Sequence, residues 1–191
     1  MSIELFDGYR IEMMEADAFF ELEKPLSKGM FDHTISFNAR DTLHEEEQER
    51  VLKLLENFDK TINIFLGLFK GDEFVGWSWG WQCKADEFYM CNSAVLPAHR
   101  RKGLYTALMQ EMMKEVKRLG FQVIKSRHTT VNNAVLIPKL KAGFVITGME
   151  VSDMFGTLVN LSYFINPVRR KAIDYRVGEQ KADEELQQYL S

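Results

Sequence analysis

The sequence predicts a mixed α/β (α+β) fold that combines β-hairpins with strand–helix units. Two pairs of apolar runs, each flanking a short turn sequence that contains glycine, are typical of hairpins. Between the pairs, a strand pattern leads through a basic turn into a helical pattern. These segments are residues 62–69 with 73–81, residues 144–155 with 158–165, and residues 87–119. The predicted order is therefore mixed: antiparallel hairpins, then strand–helix–strand–helix, then a terminal hairpin.

The N-terminal third is expected to contribute one strand and two helices. Weak alternation over residues 9–14 predicts the strand, and residues 15–24 predict a helix that Pro25 ends. Residues 27–38 lack a clean period and are expected to form a loop with a short helical piece. A second helix is predicted from about residue 45 to 58. Its acidic start is interpreted as a solvated first turn rather than a cation site.

Three tryptophans lie on one face of the second strand of the first hairpin, because strand side chains alternate. They are Trp77, Trp79 and Trp81. Burial statistics favour core packing over a ligand platform. Trp81, near the strand end, is still a candidate for lining a substrate pocket.

A helix, a strand and a further helix are predicted after the basic turn. An apolar stripe over residues 104–119 predicts an amphipathic helix, and residues 122–126 predict a short strand. Asn132 or Asn133 is expected to open the next helix, which ends near Lys141.

A single domain is predicted for residues 1–168, followed by a highly charged tail over residues 169–191 that forms a peripheral helix or is partly disordered. The chain has 191 residues, 46% of them hydrophobic and 27% charged, which is ordinary for a soluble globular domain. Its formal net charge of −4 argues against a general nucleic-acid binder. Without a signal peptide or membrane-length apolar run, we expect a cytoplasmic protein with no membrane partner. Cys83 and Cys91 match no disulfide framework or zinc motif, and no metal site is expected.

The main candidate site is the basic turn, residues Arg100-Arg101-Lys102-Gly103. A turn that opens a helix presents free backbone N–H groups and the positive end of the helix dipole, and both favour phosphate. Gly103 lets an anion approach the backbone, while the three cations add full positive charges. The alternative interpretation is a solvated basic loop between two elements.

This strand–turn–helix segment resembles the acetyl-CoA-binding segment of the GNAT N-acetyltransferases. The family signature is Arg or Gln, two residues, Gly, one residue, then Gly or Ala. Arg100 and Gly103 fit it, whereas Tyr105 stands at the last small position. Downstream, GNAT members commonly show an Asn that opens a helix and a Gly-Phe that closes it. Asn132 or Asn133, with Gly143-Phe144, matches that spacing.

The resemblance implies a mixed, mostly antiparallel sheet with helices on both faces. It implies an enzyme, an N-acetyltransferase that moves acetyl from acetyl-CoA, its co-substrate, to a primary amine of a small molecule or peptide by direct attack. The implied CoA-binding residues are Ala94 and Val95 on the strand, Arg100, Arg101, Lys102, Gly103, Leu104, Tyr105 and Thr106 at the turn, and Asn132 and Asn133. One alternative is a catalytically weak CoA-binding or sensing module of this fold, and a weaker one is a fold relative whose turn takes another nucleotide. A homodimer paired through the terminal hairpin is a further hypothesis.

One departure from the family concerns the proton donor. Many members carry a tyrosine four residues before the closing glycine, and it protonates the departing thiolate; here that residue is Lys139, preceded by Pro138. A proline inside a helix tends to bend it. A lysine with its ordinary pKa near 10.4 is a poor acid unless burial lowers that value. We expect Lys139 to be a solvated surface residue, which leaves the general acid unassigned.

Glu87 and His128 are the candidate general bases. Glu87 lies on the strand before the turn, and His128 follows the next strand. Histidine has an ordinary pKa suited to neutral base work. The alternatives are an exposed carboxylate for Glu87 and a structural role for His128. Tyr89 and Tyr163 are further candidates for facing the cleft.

Overall fold

The computed structural model describes residues 2–30, 45, 49 and 60–190. Its strands are β1 Ser2–Glu4, β2 Tyr9–Met13, β3 Asn63–Lys70, β4 Glu73–Gln82, β5 Glu87–Val95, β6 Val123–Thr129, β7 Val145–Ser152 and β8 Gly156–Phe164. Its helices are α1 Ala16–Met30, α2 Leu104–Arg118, α3 Asn133–Lys141, α4 Pro167–Arg176 and α5 Glu184–Gln187, and a 3-10 turn covers Pro97–His99. The strands form one sheet in the order β1-β2-β3-β4-β5-β6-β8-β7.

The sheet contains one parallel pair, β5 with β6, among these strands, and the other neighbours run antiparallel. The parallel pair is short. It extends from Glu87 opposite Val123 to Tyr89 opposite Lys125 and then stops, although both strands continue. We call the place where these two strands part the β5–β6 fork.

Both faces of the sheet are covered by helices, because neighbouring strand residues point to opposite faces. On one face, the predicted stripe of α2, including Leu108 and Met112, packs against strand residues such as Ile64 and Ile124. On the other face, Phe19 of α1 packs in a cluster with aromatic strand residues. We call these the α2 face and the α1 face. The mixed, mostly antiparallel sheet with helices on both faces is confirmed.

The prediction that Pro25 ends the first helix is wrong. α1 continues to Met30 with Pro25 inside it. Proline removes one backbone hydrogen bond from a helix. Leu26 and Met30, beyond the proline, pack in the α1-face cluster, and this burial offsets the lost bond. The short strand β1 was also not predicted; it pairs with β2 at the sheet edge.

Two boundaries in the C-terminal half differ from the predicted ones. β6 extends to Thr129, so His128 lies within the strand, because β8 pairs with β6 along its whole length. The terminal hairpin turns over residues 153–155 rather than at Gly156-Thr157. The Ser152 hydroxyl accepts hydrogen bonds from the N–H groups of Met154 and Phe155, and these bonds stabilise the turn.

The predicted helix over residues 45–58 lies outside the described residues except for Glu45 and Glu49, which are helical and exposed. In the tail, the Asn166 side chain caps α4 by accepting from two N–H groups of its first turn. The division at residue 168 stays a prediction. Within the described ranges, none of the helices is both long enough and apolar enough to cross a membrane.

Candidate active site

The basic turn has the backbone geometry of an anion site. Arg101 and Gly103 both have positive φ, 63° and 79°. Left-handed residues in a turn direct successive N–H groups to one side, where they attract anions. Gly103 is the N-cap of α2, no described side chain caps that helix, and its first turn carries no acidic residue. The first N–H groups of α2 therefore remain open to a ligand.

Contacts with the sheet hold the basic turn in place. Arg100 Nε donates to the Val95 carbonyl at 2.9 Å, and Lys102 Nζ donates to the Tyr9 hydroxyl at 3.0 Å. His99 Nδ1 lies 2.9 Å from the same hydroxyl, and both rings are buried. The turn is thus tied to β2 and β5, while its three cationic residues stay exposed.

Space is open above Gly103. A Cβ built on this glycine would meet no atom within 4 Å. In the first turn of α2, Leu104 is buried, Thr106 is exposed, and burial raises the pKa of Tyr105. Tyr105 therefore stays neutral. The exposed groups at this end of α2 are the backbone, the three cations and the Thr106 side chain, and all of them suit a phosphate ligand.

Asn132 and Asn133 lie at the start of α3, as predicted. Asn132 is the N-cap residue, but its side chain makes no capping hydrogen bond. Asn133 is exposed. Both side-chain amides therefore lie at the N-terminus of α3 without capping it, and they are available to a ligand.

The backbone edge of β5 at the fork belongs to Ser93 and Val95 rather than to Ala94. The Leu96 N–H donates to the Val75 carbonyl in β4 at 2.9 Å. Alternate residues of an antiparallel strand direct their backbone groups the same way, so Ala94 also points at β4, where it lies opposite Trp77. A free Ala94 backbone, as predicted, is therefore not supported. Val95 does point toward the fork.

Lys139 is buried, and its predicted solvated position is wrong. Its side chain is 1% exposed. α3 continues across Pro138. The ammonium Nζ lies 2.6 Å from Ser126 Oγ, 3.8 Å from Met90 Sδ and 4.9 Å from the centroid of the Phe144 ring. Burial lowers the pKa of Lys139 from its ordinary value of 10.5 to about 7.

These contacts position Lys139 at the apex of the β5–β6 fork. Met90 and Ser126 each follow directly on the last paired residues of their strands, Tyr89 and Lys125. Ser126 Oγ is also 2.6 Å from His128 Nε2. Burial, with a smaller effect from the charge of Lys139, lowers the pKa of His128 to about 3. The imidazole is thus neutral at neutral pH.

The two predicted bases lie apart. Glu87 on β5 lies opposite Val123 on β6, so these two side chains share a face of the sheet. His128 is an odd number of residues beyond Val123 on β6, so its side chain points to the other face. Glu87 forms an ion pair with Lys84 at 3.3 Å. With a pKa near 3, His128 is a weak base at neutral pH. The catalytic roles of both residues stay predictions.

A cavity of about 470 Å³ lies beside the fork on the α1 face. Its lining includes Trp81, Tyr89, Lys125, Arg127, Glu150 and Asn160. The Trp81 and Tyr89 rings are 4.9 Å apart, which agrees with the candidate role for the last tryptophan. Ser126 also lines the cavity, so the cavity reaches within one side chain of Lys139.

An ionic network crosses this cavity. Arg127 donates to the Tyr89 hydroxyl at 3.0 Å and to the Glu150 carboxylate at 2.6 Å. The Asn160 amide donates to Glu150 at 3.2 Å, but its carbonyl oxygen is buried without a partner among the described residues. A ligand N–H would satisfy that oxygen. Sequence reasoning missed Arg127, Glu150 and Asn160, because only the pairing of β6, β7 and β8 brings them together.

The described ranges contain no group of three or more His, Cys, Asp or Glu that could hold a metal ion.

The family model of the GNAT acetyltransferases matches residues 29–144, more than half of the chain. The chain belongs to the GNAT acetyltransferase family. The match spans the basic turn and ends at Phe144, after α3. None of the curated proteins matches the chain.

Solved acetyltransferase structures share this fold at low sequence identity. yncA from Salmonella typhimurium, with its cofactor acetyl-CoA, is 16% identical, with a TM-score of 0.60 over 83% of this chain and 95% of that one. The ribosomal-protein-S5-alanine acetyltransferase from Vibrio fischeri is 11% identical, with a TM-score of 0.62 over 86% and 96%. A GNAT acetyltransferase from Elizabethkingia anophelis with acetyl-CoA bound is 12% identical, with a TM-score of 0.56 over 83% and 99%. At these identities, the likeness shows the fold.

Proposed function

We propose that this GNAT protein transfers acetyl from acetyl-CoA to a primary amine of a small molecule or peptide. The observation that carries the proposal is the basic turn, whose open helix N-terminus and left-handed Gly103 lead directly from β5 at the fork. Membership of the family and the acetyl-CoA in two of the similar structures support the same donor.

The CoA site in this proposal runs from the basic turn along the fork. The N–H groups of residues 103–106 and the three cations of the turn bind the phosphates. The fork-facing backbone of β5, at Ser93 and at the Val95 N–H, pairs with the pantetheine arm, and Asn132 or Asn133 contacts it from α3. The Val95 carbonyl already accepts a hydrogen bond from Arg100. This path ends at the apex of the fork, beside Met90 and Ser126, where the thioester would lie.

The cavity on the α1 face is the proposed acceptor site. An amine held there approaches the thioester from the side opposite to α2 and α3. Orientation supplies much of the rate, since a held amine and thioester react in an effectively unimolecular step. The unpartnered Asn160 oxygen suits an amine N–H. Lys125 and Arg127 outnumber Glu150 in the lining, so we expect acceptors that also carry a carboxylate to be preferred.

Glu87 is better placed than His128 to act as the general base. Glu87 shares the α1 face with Tyr89 and the cavity, since the two residues are two apart on β5. It would act through a bridging water, as its distance along the strand from the fork requires. His128 lies on the other face.

The replacement of the usual tyrosine by Lys139 favours one alternative, a catalytically weak CoA-binding or sensing module. Both functions use the basic turn. They differ in whether an amine causes release of the CoA thiol.

A cytoplasmic location and a homodimer also stay proposals. β7 is an edge of the sheet, and its Ile146, Met149 and Val151 side chains are exposed, which supports pairing of two copies along this strand.

The test is calorimetric titration with acetyl-CoA, followed by thiol release across a panel of primary amines. Binding that requires both the nucleotide and the pantetheine arm, and thiol release that needs an amine, are the expected results. Mass spectrometry should then find one added acetyl group on the amine. Binding without amine-dependent thiol release would favour the sensing module, and no binding would contradict both.

A further inference from the structure

We propose that Lys139 protonates the departing CoA thiolate and that Ser126 and His128 position it at the β5–β6 fork. The proposal rests on the acetyltransferase function proposed above, and it assigns to a lysine the step for which family members commonly use a tyrosine.

The proposal is based on the position of the Lys139 side-chain amine. Lys139 Nζ touches Met90 on β5 and Ser126 on β6, the first residue of each strand beyond their last pairing. A thioester bound in the fork would lie against this apex. Ser126 also lines the acceptor cavity on the opposite face. Lys139 would thus contact the thioester from the α2 face, while the acceptor amine would approach it from the α1 face.

The surroundings of Lys139 are nearly free of charge. From β6, the titratable group that faces it is His128, through Ser126; β5 contributes Met90, and Phe144 follows α3. No carboxylate among the described residues forms an ion pair with Lys139. A buried lysine without a carboxylate partner is costly to a fold, and such groups concentrate at functional sites.

Burial makes this lysine acidic enough for the step. An ordinary ammonium, with a pKa near 10.4, would give its proton unfavourably to a thiolate whose thiol has a pKa near 8.5. With a pKa of about 7, Lys139 gives it favourably. The same group is still about half protonated at neutral pH, which is the balance that general acid catalysis favours.

The proposed step transfers one proton from Lys139 to the CoA sulfur. The neutral acceptor amine attacks the thioester carbonyl, the C–N bond forms, and the C–S bond breaks with its electron pair on sulfur. An N–H proton of the Lys139 ammonium moves to that sulfur and gives the free thiol. The attacking nitrogen loses one proton to water, and water returns a proton to the neutral Lys139 amine.

Three variants separate this role from a structural one. Lys139→Met keeps an unbranched side chain that is one heavy atom shorter, and it removes the ammonium proton. Lys139→Tyr restores the acid usual in the family. Lys141→Met is the matched control, because Lys141 is on the same helix but exposed.

We expect Lys139→Met to bind acetyl-CoA within about twofold of wild type while kcat falls about 100-fold, as removal of a general acid does. Lys139→Tyr should recover a large part of kcat, with the high-pH decline of the kcat profile moved upward, because tyrosine has a pKa near 10. Lys141→Met should behave as wild type. Thermal unfolding checks that each variant is folded.

A readout independent of turnover is NMR of the lysine side-chain Cε, with the Lys139 signal identified by its loss in Lys139→Met. We expect this signal to titrate near pH 7 and to shift when acetyl-CoA saturates the protein. Unchanged kcat and pH profile in Lys139→Met would overturn the proposal, as would a Lys139 signal that acetyl-CoA leaves unmoved. A wild-type protein that binds no acetyl-CoA would overturn the proposed function as well.

Discussion

Lys139 and His128 are the two residues at which the structure departs most from what the sequence suggests. Both are basic. Lys139 is buried and His128 is half-buried, and the Ser126 hydroxyl lies within hydrogen-bond distance of both side chains at the fork. Sequence alone marked the Lys139 position through the family pattern but predicted exposure, because lysine is rarely buried. Its burial depends on how α3 packs on β5 and β6, which no local pattern encodes.

The burial of Lys139 predicts a stability effect with a defined pH dependence. Its pKa is lower in the folded state than in the unfolded chain, so the folded state binds fewer protons between about pH 7 and 10.5. Relative to a variant that lacks this amine, the wild type should therefore gain stability as the pH rises across this window. At pH 7, Lys139→Met should be more stable by roughly 2–4 kcal/mol, and the difference should vanish near pH 10.5.

Urea unfolding of wild type and Lys139→Met at several pH values measures this difference. The exposed Lys141→Met variant should show no such trend. A constant difference across the pH range would contradict a depressed Lys139 pKa.

At the scale of elements, the hairpins, α2 and the basic turn follow from local signals. Turn residues flank the strands, an apolar stripe marks α2, and cations next to Gly103 mark the turn. Two features depend on packing between distant elements and were not predictable. α1 continues past Pro25 because its residues beyond the proline are packed against the sheet. The pairing of β6, β7 and β8 brings Arg127, Glu150 and Asn160 together at the cavity.

The basic turn can be tested with two matched glycine substitutions. Gly103 and Gly178 have nearly equal φ, 79° and 82°, and an added Cβ meets no atom within 4 Å at either. Both Gly→Ala variants should therefore lose a similar stability, about 1–2 kcal/mol, from backbone strain. Gly103→Ala alone should weaken acetyl-CoA binding, by about tenfold or more, because its methyl group occupies the anion position. Equal affinities in the two variants, measured by calorimetry, would contradict a phosphate site at the turn.

The cavity predicts an effect on the acceptor rather than on the donor. Arg127→Met breaks the bonds to Tyr89 and Glu150, so KM for the amine should rise about tenfold while acetyl-CoA affinity stays unchanged. Arg169→Met is the control, because Arg169 is about equally exposed and pairs with Asp86 away from the cavity. Both ion pairs are partly exposed, so each variant should lose at most about 1 kcal/mol of stability. Steady-state kinetics with both substrates varied measures the two constants, and a rise confined to KM for acetyl-CoA would contradict an acceptor cavity.

For the molecule as a whole, the charge distribution predicts how donor binding responds to salt. The chain carries a net charge of −4, yet the turn presents three exposed cations. Attraction between acetyl-CoA phosphates and this local patch should be screened, so its affinity should fall several-fold between about 0.05 and about 0.5 M NaCl. Affinity for a neutral pantetheine fragment should not change. Salt-independent acetyl-CoA binding would argue that the phosphates lie elsewhere.

In the proposed function, acetyl-CoA extends from the basic turn along β5 to the apex of the fork, where Lys139 lies on one face and the cavity on the other. The most direct test of this account is a crystal structure with acetyl-CoA. We predict the phosphates on the N–H groups at the start of α2 and the thioester sulfur within hydrogen-bond reach of Lys139 Nζ. A pantetheine arm that leaves the fork before its apex, or a sulfur on the far side of β5 from Lys139, would contradict it.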